Sequence, residues 1–214
     1  MKLYYAPGAC SIGIHVLLEE IGKPYETQIV KLMEGEQYKP PFTAINPKSK
    51  VPTVQRDDGS VLTEFPVIAR WLARQNPQAN LLPKDEEADL RAMEAMEYIV
   101  GTMHGQGFGR LFRPANFTPR QEDQEQVKAR GREIVEKGFE VVDKALAGRN
   151  YLAGDFSIAD AALFYVEFWA AKRLGIKLPS NCAAHFERMM ARPAVQRVMQ
   201  QEGFAQGRGG EPSR

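Results

Sequence analysis

Residues 51–64 read Val51-Pro52-Thr53-Val54-Gln55-Arg56-Asp57-Asp58-Gly59-Ser60-Val61-Leu62-Thr63-Glu64. Two short apolar runs flank an Asp-Gly pair, the signature of a β-hairpin. Helical spacing begins where the hairpin ends. Val67, Ile68, Trp71 and Leu72 recur at intervals of one, three and four through residues 63–74. A strand-strand-helix unit therefore closes the first 75 or so residues.

Working back from the hairpin, residues 2–6 are a short aromatic-rich strand that Pro7-Gly8 breaks. Residues 11–21 carry Ile14, Leu17, Leu18 and Ile21 on one helical face, with Gly22 as the stop. Residues 25–32 interleave polar and apolar side chains as a second strand. Residues 33–50, with Gly35, Pro40, Pro41 and Pro47, read as a loop holding at most one short helix. The order β-α-β-α-β-β-α predicts a thioredoxin-like domain over residues 1–77. Working forward, residues 78–84 form a linker. Helical patterns then cover residues 86–112, 119–146, 157–174, 183–191 and 193–201, an all-helical domain over 85–203. The fold class is α/β plus all-α. The Gly-rich, polar residues 204–214 are expected to be a disordered tail.

Composition excludes several classes. The chain has 214 residues, 28 basic and 27 acidic, for a net charge of +1. No basic field for nucleic acid or an anionic membrane is expected from that balance. No stretch has the length of a signal peptide's apolar region or of a membrane span. Cys10 and Cys182 lie far apart, which predicts a reduced, cytoplasmic setting without a disulfide framework. No metal-ligand set is expected.

Four segments carry possible chemistry. Cys10 and Ser11 stand between a strand end and a helix start, where partial positive charge lowers a thiol pKa or holds the thiolate of a bound cofactor. The bland alternative is a small residue packing the turn. Val51-Pro52, if cis, would offer the Val51 backbone to a ligand; a trans proline at a strand edge is the ordinary case. Glu64 and Phe65 open a helix, where a carboxylate and free N–H groups can meet a ligand's ammonium and carboxylate. His104 lies among Gly101, Gly105, Gly107 and Gly109 late in a long helical pattern, a placement that implies close approach by a backbone or ligand. Phe156-Ser157-Ile158-Ala159-Asp160 is a capping box that starts a buried helix and carries no chemistry.

Together, Tyr4-Tyr5-Ala6-Pro7-Gly8-Ala9-Cys10-Ser11, Asn46-Pro47-Lys48, Val51-Pro52, Leu62-Thr63-Glu64, His104 and the 156–160 box resemble the cytosolic glutathione transferase family, and within it the bacterial beta class. The resemblance spans residues 1–203. It implies glutathione as co-substrate, a small electrophile as second substrate, and a homodimer. It implies that Cys10 contacts the glutathione sulfur and can form a mixed disulfide with it, with Ser11 and His104 beside the thiol. It implies that Val51, ahead of a cis Pro52, pairs with the cysteinyl backbone, and that Glu64 and the Phe65 N–H hold the γ-glutamyl end. Tyr5 joins the glutathione-binding set. Lys39, or else Lys31, stands in for the lysine that the family places near Gly35, and Glu97 stands where a residue reaches across the dimer. The electrophile pocket would draw on Phe108, Phe112, Arg113, Tyr165 and Trp169. The superfamily often has Ser where this chain has Phe65. The other reading is a non-enzymatic binding or regulatory protein on the same fold.

Overall fold

A computed structural model describes residues 1–204. Strands β1 (Lys2–Tyr5), β2 (Glu26–Ile29), β3 (Thr53–Gln55) and β4 (Val61–Thr63) form one mixed sheet in the order β2-β1-β3-β4. β1 pairs parallel with β2 and antiparallel with β3. The hairpin pairs Thr53 with Thr63 and Gln55 with Val61. Its turn needs Gly59 at φ +82°, a conformation only glycine adopts cheaply. β2 is shorter than residues 25–32. It is an edge strand whose ladder stops where its four-residue partner β1 stops, and two 3-10 turns follow at Leu32–Glu34 and Glu36–Tyr38.

Helix α1 (Ser11–Ile21) connects β1 to β2, α2 (Phe42–Ile45) is a single turn, and α3 (Phe65–Gln75) follows the hairpin directly. Side chains alternate across β1 as a strand requires. Leu3 and Tyr5 join the core with Ile12, Leu17 and Ile68, while Tyr4 faces Phe42 and Val51 in a smaller cluster.

The second part of the chain is helical. α4 (Glu86–Glu97) is capped by Asp85, whose carboxylate accepts from the Ala88 N–H at 2.9 Å. It continues as a π-helical stretch, Tyr98–Phe108, and ends as α5 (Gly109–Phe112). The pattern at 86–112 is thus one rod with a widened middle. α6 (Gln124–Ala145) starts later than residue 119 because Pro114–Asn116 and Gln121–Asp123 form separate 3-10 turns. α7 (Ile158–Phe168) is buried along its whole length, as expected of a central helix that is apolar all round. A π turn, Trp169–Arg173, extends it, and α8 (Ser180–Ala191) and α9 (Pro193–Gln201) follow. The capping box is formed: Asp160 Oδ2 accepts from the Ser157 N–H at 2.8 Å and from its hydroxyl at 2.9 Å. Within the same interior, Glu167 and His185 are paired at 2.8 Å. No helix among the described residues is long and apolar enough to cross a membrane. Phe204, counted above with the tail, packs instead: its N–H bonds the Met199 carbonyl at 2.7 Å and its ring meets Phe168 at 5.2 Å. The rest of the expected disordered tail lies outside the described residues.

The glycine-rich stretch is explained in part. A Cβ on Gly107 would stand 2.7 Å from Val135 Cγ2, and one on Gly131 would stand 2.8 Å from the Gly107 carbonyl oxygen. These two glycines let α6 close on the π-helical stretch. Gly101 has open space where a Cβ would be, so nothing in packing demands it. Gly131→Ala is therefore expected to destabilise by about 1–3 kcal/mol through overpacking, lowering Tm by roughly 2–12 °C in a chain of this size. Gly101→Ala is expected to raise stability by up to about 1 kcal/mol through helix propensity. Thermal melts of the two variants check the contrast.

Candidate functional site

The turn between β1 and α1 is held from a distance. Gly8 adopts φ +64°. Its N–H donates to Glu202 Oε2 at 2.7 Å, and its carbonyl accepts from Trp169 Nε1 at 2.8 Å. Arg173 donates to the Pro7 carbonyl at 3.2 Å. The second oxygen of Glu202 meets His15 Nδ1 at 2.8 Å. Ser11 is fully buried, and its hydroxyl accepts from the Ala6 N–H at 3.2 Å and donates to the Ala6 carbonyl at 3.3 Å. That closes the turn and engages the hydroxyl within the backbone.

Cys10 occupies the N-cap of α1 with helical backbone angles and no side-chain cap. Its Sγ lies 3.2 Å from the carbonyl oxygen of Val51, and the Val51–Pro52 bond is cis. Asn46 shapes this loop, donating to the Lys50 carbonyl at 2.8 Å and to Thr53 Oγ1 at 2.9 Å. The helix end and the burial of the thiol act in opposite directions. Burial pushes the Cys10 thiol up to about 12, against weaker lowering by the N–H groups of Cys10 and Ser11 and by Arg113 and Lys50. Desolvation of the charged form outweighs the helix end.

An aromatic wall stands beside the thiol. The ring of His104 meets Trp169 edge-on at 4.8 Å and Tyr165 at 5.6 Å, and its Nδ1 lies 3.2 Å from the Tyr165 hydroxyl. Phe65 packs on Tyr165 at 5.3 Å. Phe108 and Phe112 both pack on Trp169, with Phe112 partly open to solvent. Burial, with the positive charges of Lys50 and Arg113, lowers His104 to about 4. At neutral pH the thiol and the imidazole are both uncharged.

The remaining expected residues divide. Phe65 is the first residue of α3, where an N–H has no partner within its own helix. Glu64 precedes it at φ +68°, and its carboxylate is paired with Lys48 Nζ at 2.9 Å. Lys39 donates to the Glu34 carbonyl at 2.8 Å, within its own loop, and Lys31 pairs with Glu34 at 3.3 Å. Glu97 is exposed on α4. Tyr5 is not brought to the site. Its ring is buried against His15 at 5.2 Å, on the α1 side of the sheet, while Tyr4 faces Val51. Strand alternation sends neighbours to opposite faces, so the Tyr5 ring stands across the sheet from Val51.

Lys50, Arg173 and Glu202 were absent from the sequence reading. Glu202 did leave a signal: it is an acidic residue at the end of α9, where the macrodipole opposes negative charge.

Residues 8–75 match the model of the glutathione S-transferase N-terminal domain, and residues 125–200 match that of the glutathione S-transferase C-terminal domain. The chain is 38% identical to glutathione S-transferase GstA of Escherichia coli O157:H7 over 212 residues, covering 95% of this chain and all of that protein. It superposes on a glutathione transferase homologue from Sulfitobacter, solved with bound glutathione, with a TM-score of 0.86 at 30% identity, covering 94% and 97% of the two chains. It superposes on the bacterial beta-class glutathione S-transferase of Sphingomonas chungbukensis with a TM-score of 0.82 at 31% identity, covering 96% of this chain and 100% of that one. With both domain models matched in order and near-complete coverage of a relative at that identity, the chain belongs to the glutathione S-transferase family.

Proposed function

We propose that this chain is a glutathione transferase that binds glutathione across Val51 and the start of α3 and adds its thiolate to a small electrophile lying against Phe108, Phe112 and Trp169. The observation that carries the reading is the meeting of Cys10 Sγ with the Val51 carbonyl ahead of a cis proline, at 3.2 Å. A peptide ligand paired with the Val51 backbone brings its own thiol to the N-terminus of α1. There the N–H groups of Cys10 and Ser11 favour a thiolate. A neutral Cys10 supplies a hydrogen-bond donor to that thiolate rather than a competing charge. The γ-glutamyl carboxylate takes the Phe65 N–H. Glu64 takes the ammonium group once Lys48 gives way. Lys39 reaches the glycyl carboxylate only by leaving the Glu34 carbonyl. Conjugation then moves the electron pair of the thiolate to the electrophile, which loses its leaving group or takes up a proton. Holding both reactants together provides much of the acceleration.

Calorimetry with glutathione, followed by turnover of an activated aryl chloride, tests this. Saturable binding with product formation is expected. Absence of binding at millimolar glutathione would return the chain to the non-enzymatic reading.

Thiol–disulfide exchange through Cys10 is the minor reading, because a thiol held near 12 is a poor nucleophile at neutral pH. Cys10→Ala is expected to lower kcat/KM for conjugation by about 10- to 100-fold, the loss of one hydrogen bond to a charged group. The variant should remain active. Complete loss of activity, together with rapid glutathionylation of the wild-type Cys10 seen by mass spectrometry, would reverse the ranking.

His104, with its pKa lowered to about 4 by burial, is expected to keep the nitrogen resonances of a neutral imidazole from pH 8 down to about 5, well below the unperturbed value near 6.5. The unfolded chain binds that proton more readily, so this residue contributes stability above pH 6.5 that is lost as pH falls toward 4. An NMR titration following the His104 ring reads it directly.

A cytoplasmic homodimer fits the reading, with Glu97 on the exposed face of α4 offered to the ligand of the second subunit. Sedimentation velocity is expected to show a dimer, and a monomer at all concentrations would remove that role for Glu97.

A further inference from the structure

Two cations stand at the rim of the Cys10 site, one from each domain. Lys50 precedes Val51, whose carbonyl lies 3.2 Å from Cys10 Sγ. Arg113 caps the end of α5 directly after Phe112, whose ring packs on Trp169 at 5.4 Å. Both side chains are exposed. Neighbouring cations are already engaged: Lys48 pairs with Glu64 at 2.9 Å, and Arg110 donates to Gln106 Oε1 at 2.7 Å. Among the described residues, Lys50 and Arg113 have no carboxylate within ion-pair distance. Their charges converge on the same two groups, Cys10 and His104, and no carboxylate acts on His104 beside them.

Glutathione, bound as set out above, leaves both cations unused. Its γ-glutamyl carboxylate takes the Phe65 N–H, and its glycyl carboxylate takes Lys39. Arg113 belongs to the electrophile's side of the site, with Phe112 and Trp169. An apolar ring laid on that wall has its outer edge at the rim, where the two cations lack a counter-charge. An anionic electrophile is repelled by a glutathione thiolate in water. At this rim, two positive charges offset that repulsion, each exposed pairing favouring the anion by roughly two- to fivefold.

We propose that Lys50 and Arg113 determine specificity, and that the electrophile is an aromatic molecule whose ring lies on the Phe112–Trp169 wall and whose anionic substituent, such as a carboxylate, sits between the two side chains. This names the substrate class of the transferase site and rests on that reading.

Two probes of one shape test the proposal on the full chain. One is a benzoate carrying chlorine para and nitro groups at both meta positions; the other is the matching benzamide. The glutathione thiolate forms a carbon–sulfur bond to each ring and chloride leaves. Each rate is divided by that of the uncatalysed reaction. The wild-type kcat/KM is expected to favour the benzoate by about five- to tenfold, chiefly through KM. The preference should shrink in concentrated salt, which screens exposed charges, and that measurement needs no variant. Arg113→Gln and Lys50→Gln should each lose part of the preference, and the double variant should bring the ratio near one. The ratio is taken within each variant, so a loss common to both probes cancels. Turnover of the neutral benzamide reads the transferase function alone. If neither probe turns over, the transferase reading fails and takes this proposal with it. If both turn over with a wild-type ratio of one or less, this proposal is overturned and the transferase reading stands. A benzoate preference that survives both substitutions, or a rise in the KM for glutathione with an unchanged ratio, overturns it in the same way.

Discussion

One buried carboxylate holds the active turn in place. Glu202 ends α9 and lies under the segment that joins β1 to α1, with one oxygen on the Gly8 N–H and the other on His15. A carboxylate removed from water is stable only when donors satisfy it, and its place at a helix C-terminus adds a further cost. Those costs are offset only if Gly8 and His15 both stay where they are. Trp169 and Arg173 fix the carbonyls of the same turn from the π turn after α7. The position of Cys10 against Val51 follows from this frame. The helices from α7 onward do more than stabilise the fold; they set the geometry of a thiol that belongs to the first ten residues.

The electrostatics of the site follow from its walls. Lys50 and Arg113 both favour an anion at Cys10 and a neutral ring at His104, but both are exposed, so solvent weakens them. Desolvation by Val51, Tyr165 and Trp169 is not weakened in that way and dominates both groups. The result is a pair of neutral polar groups on an aromatic surface. Such a surface suits the apolar ring of an electrophile, and it leaves the charge that matters to be brought in by the bound thiol.

Local signals were legible in the sequence, and tertiary ones were not. The Asp57-Asp58-Gly59 turn, the α1 stop at Gly22 and the Ser157–Asp160 box depend on neighbours within a few positions, and the structure has each of them. The length of β2 was hidden because an edge strand ends where its partner ends. The π-helical middle of the long rod left no local signal, and the α6 backbone that packs on it at Gly107 comes from Gly131, more than twenty residues away. Tyr5 and Ser11 are adjacent in the chain to Cys10, but strand alternation places the Tyr5 ring against His15 and the Ser11 hydroxyl closes the turn on Ala6. At Cys10 the helix position is written in the sequence and the burial is not.

Gly8 and Glu202 are separated by 194 positions, and that distance has a meaning in time. During synthesis at about 5–20 residues per second, roughly 10–40 seconds pass between the appearance of the turn and the appearance of the carboxylate that fixes it. The sheet, α1 and α3 emerge early, but α1 packs against α7 and α9 as well as against β1 and α3, so one apolar side of it has no cover in the interval. The nascent chain therefore carries an unassembled thiol turn and an open helix face until α9 leaves the ribosome. Loss of the Glu202 carboxylate therefore reaches a turn 194 positions away, at Gly8.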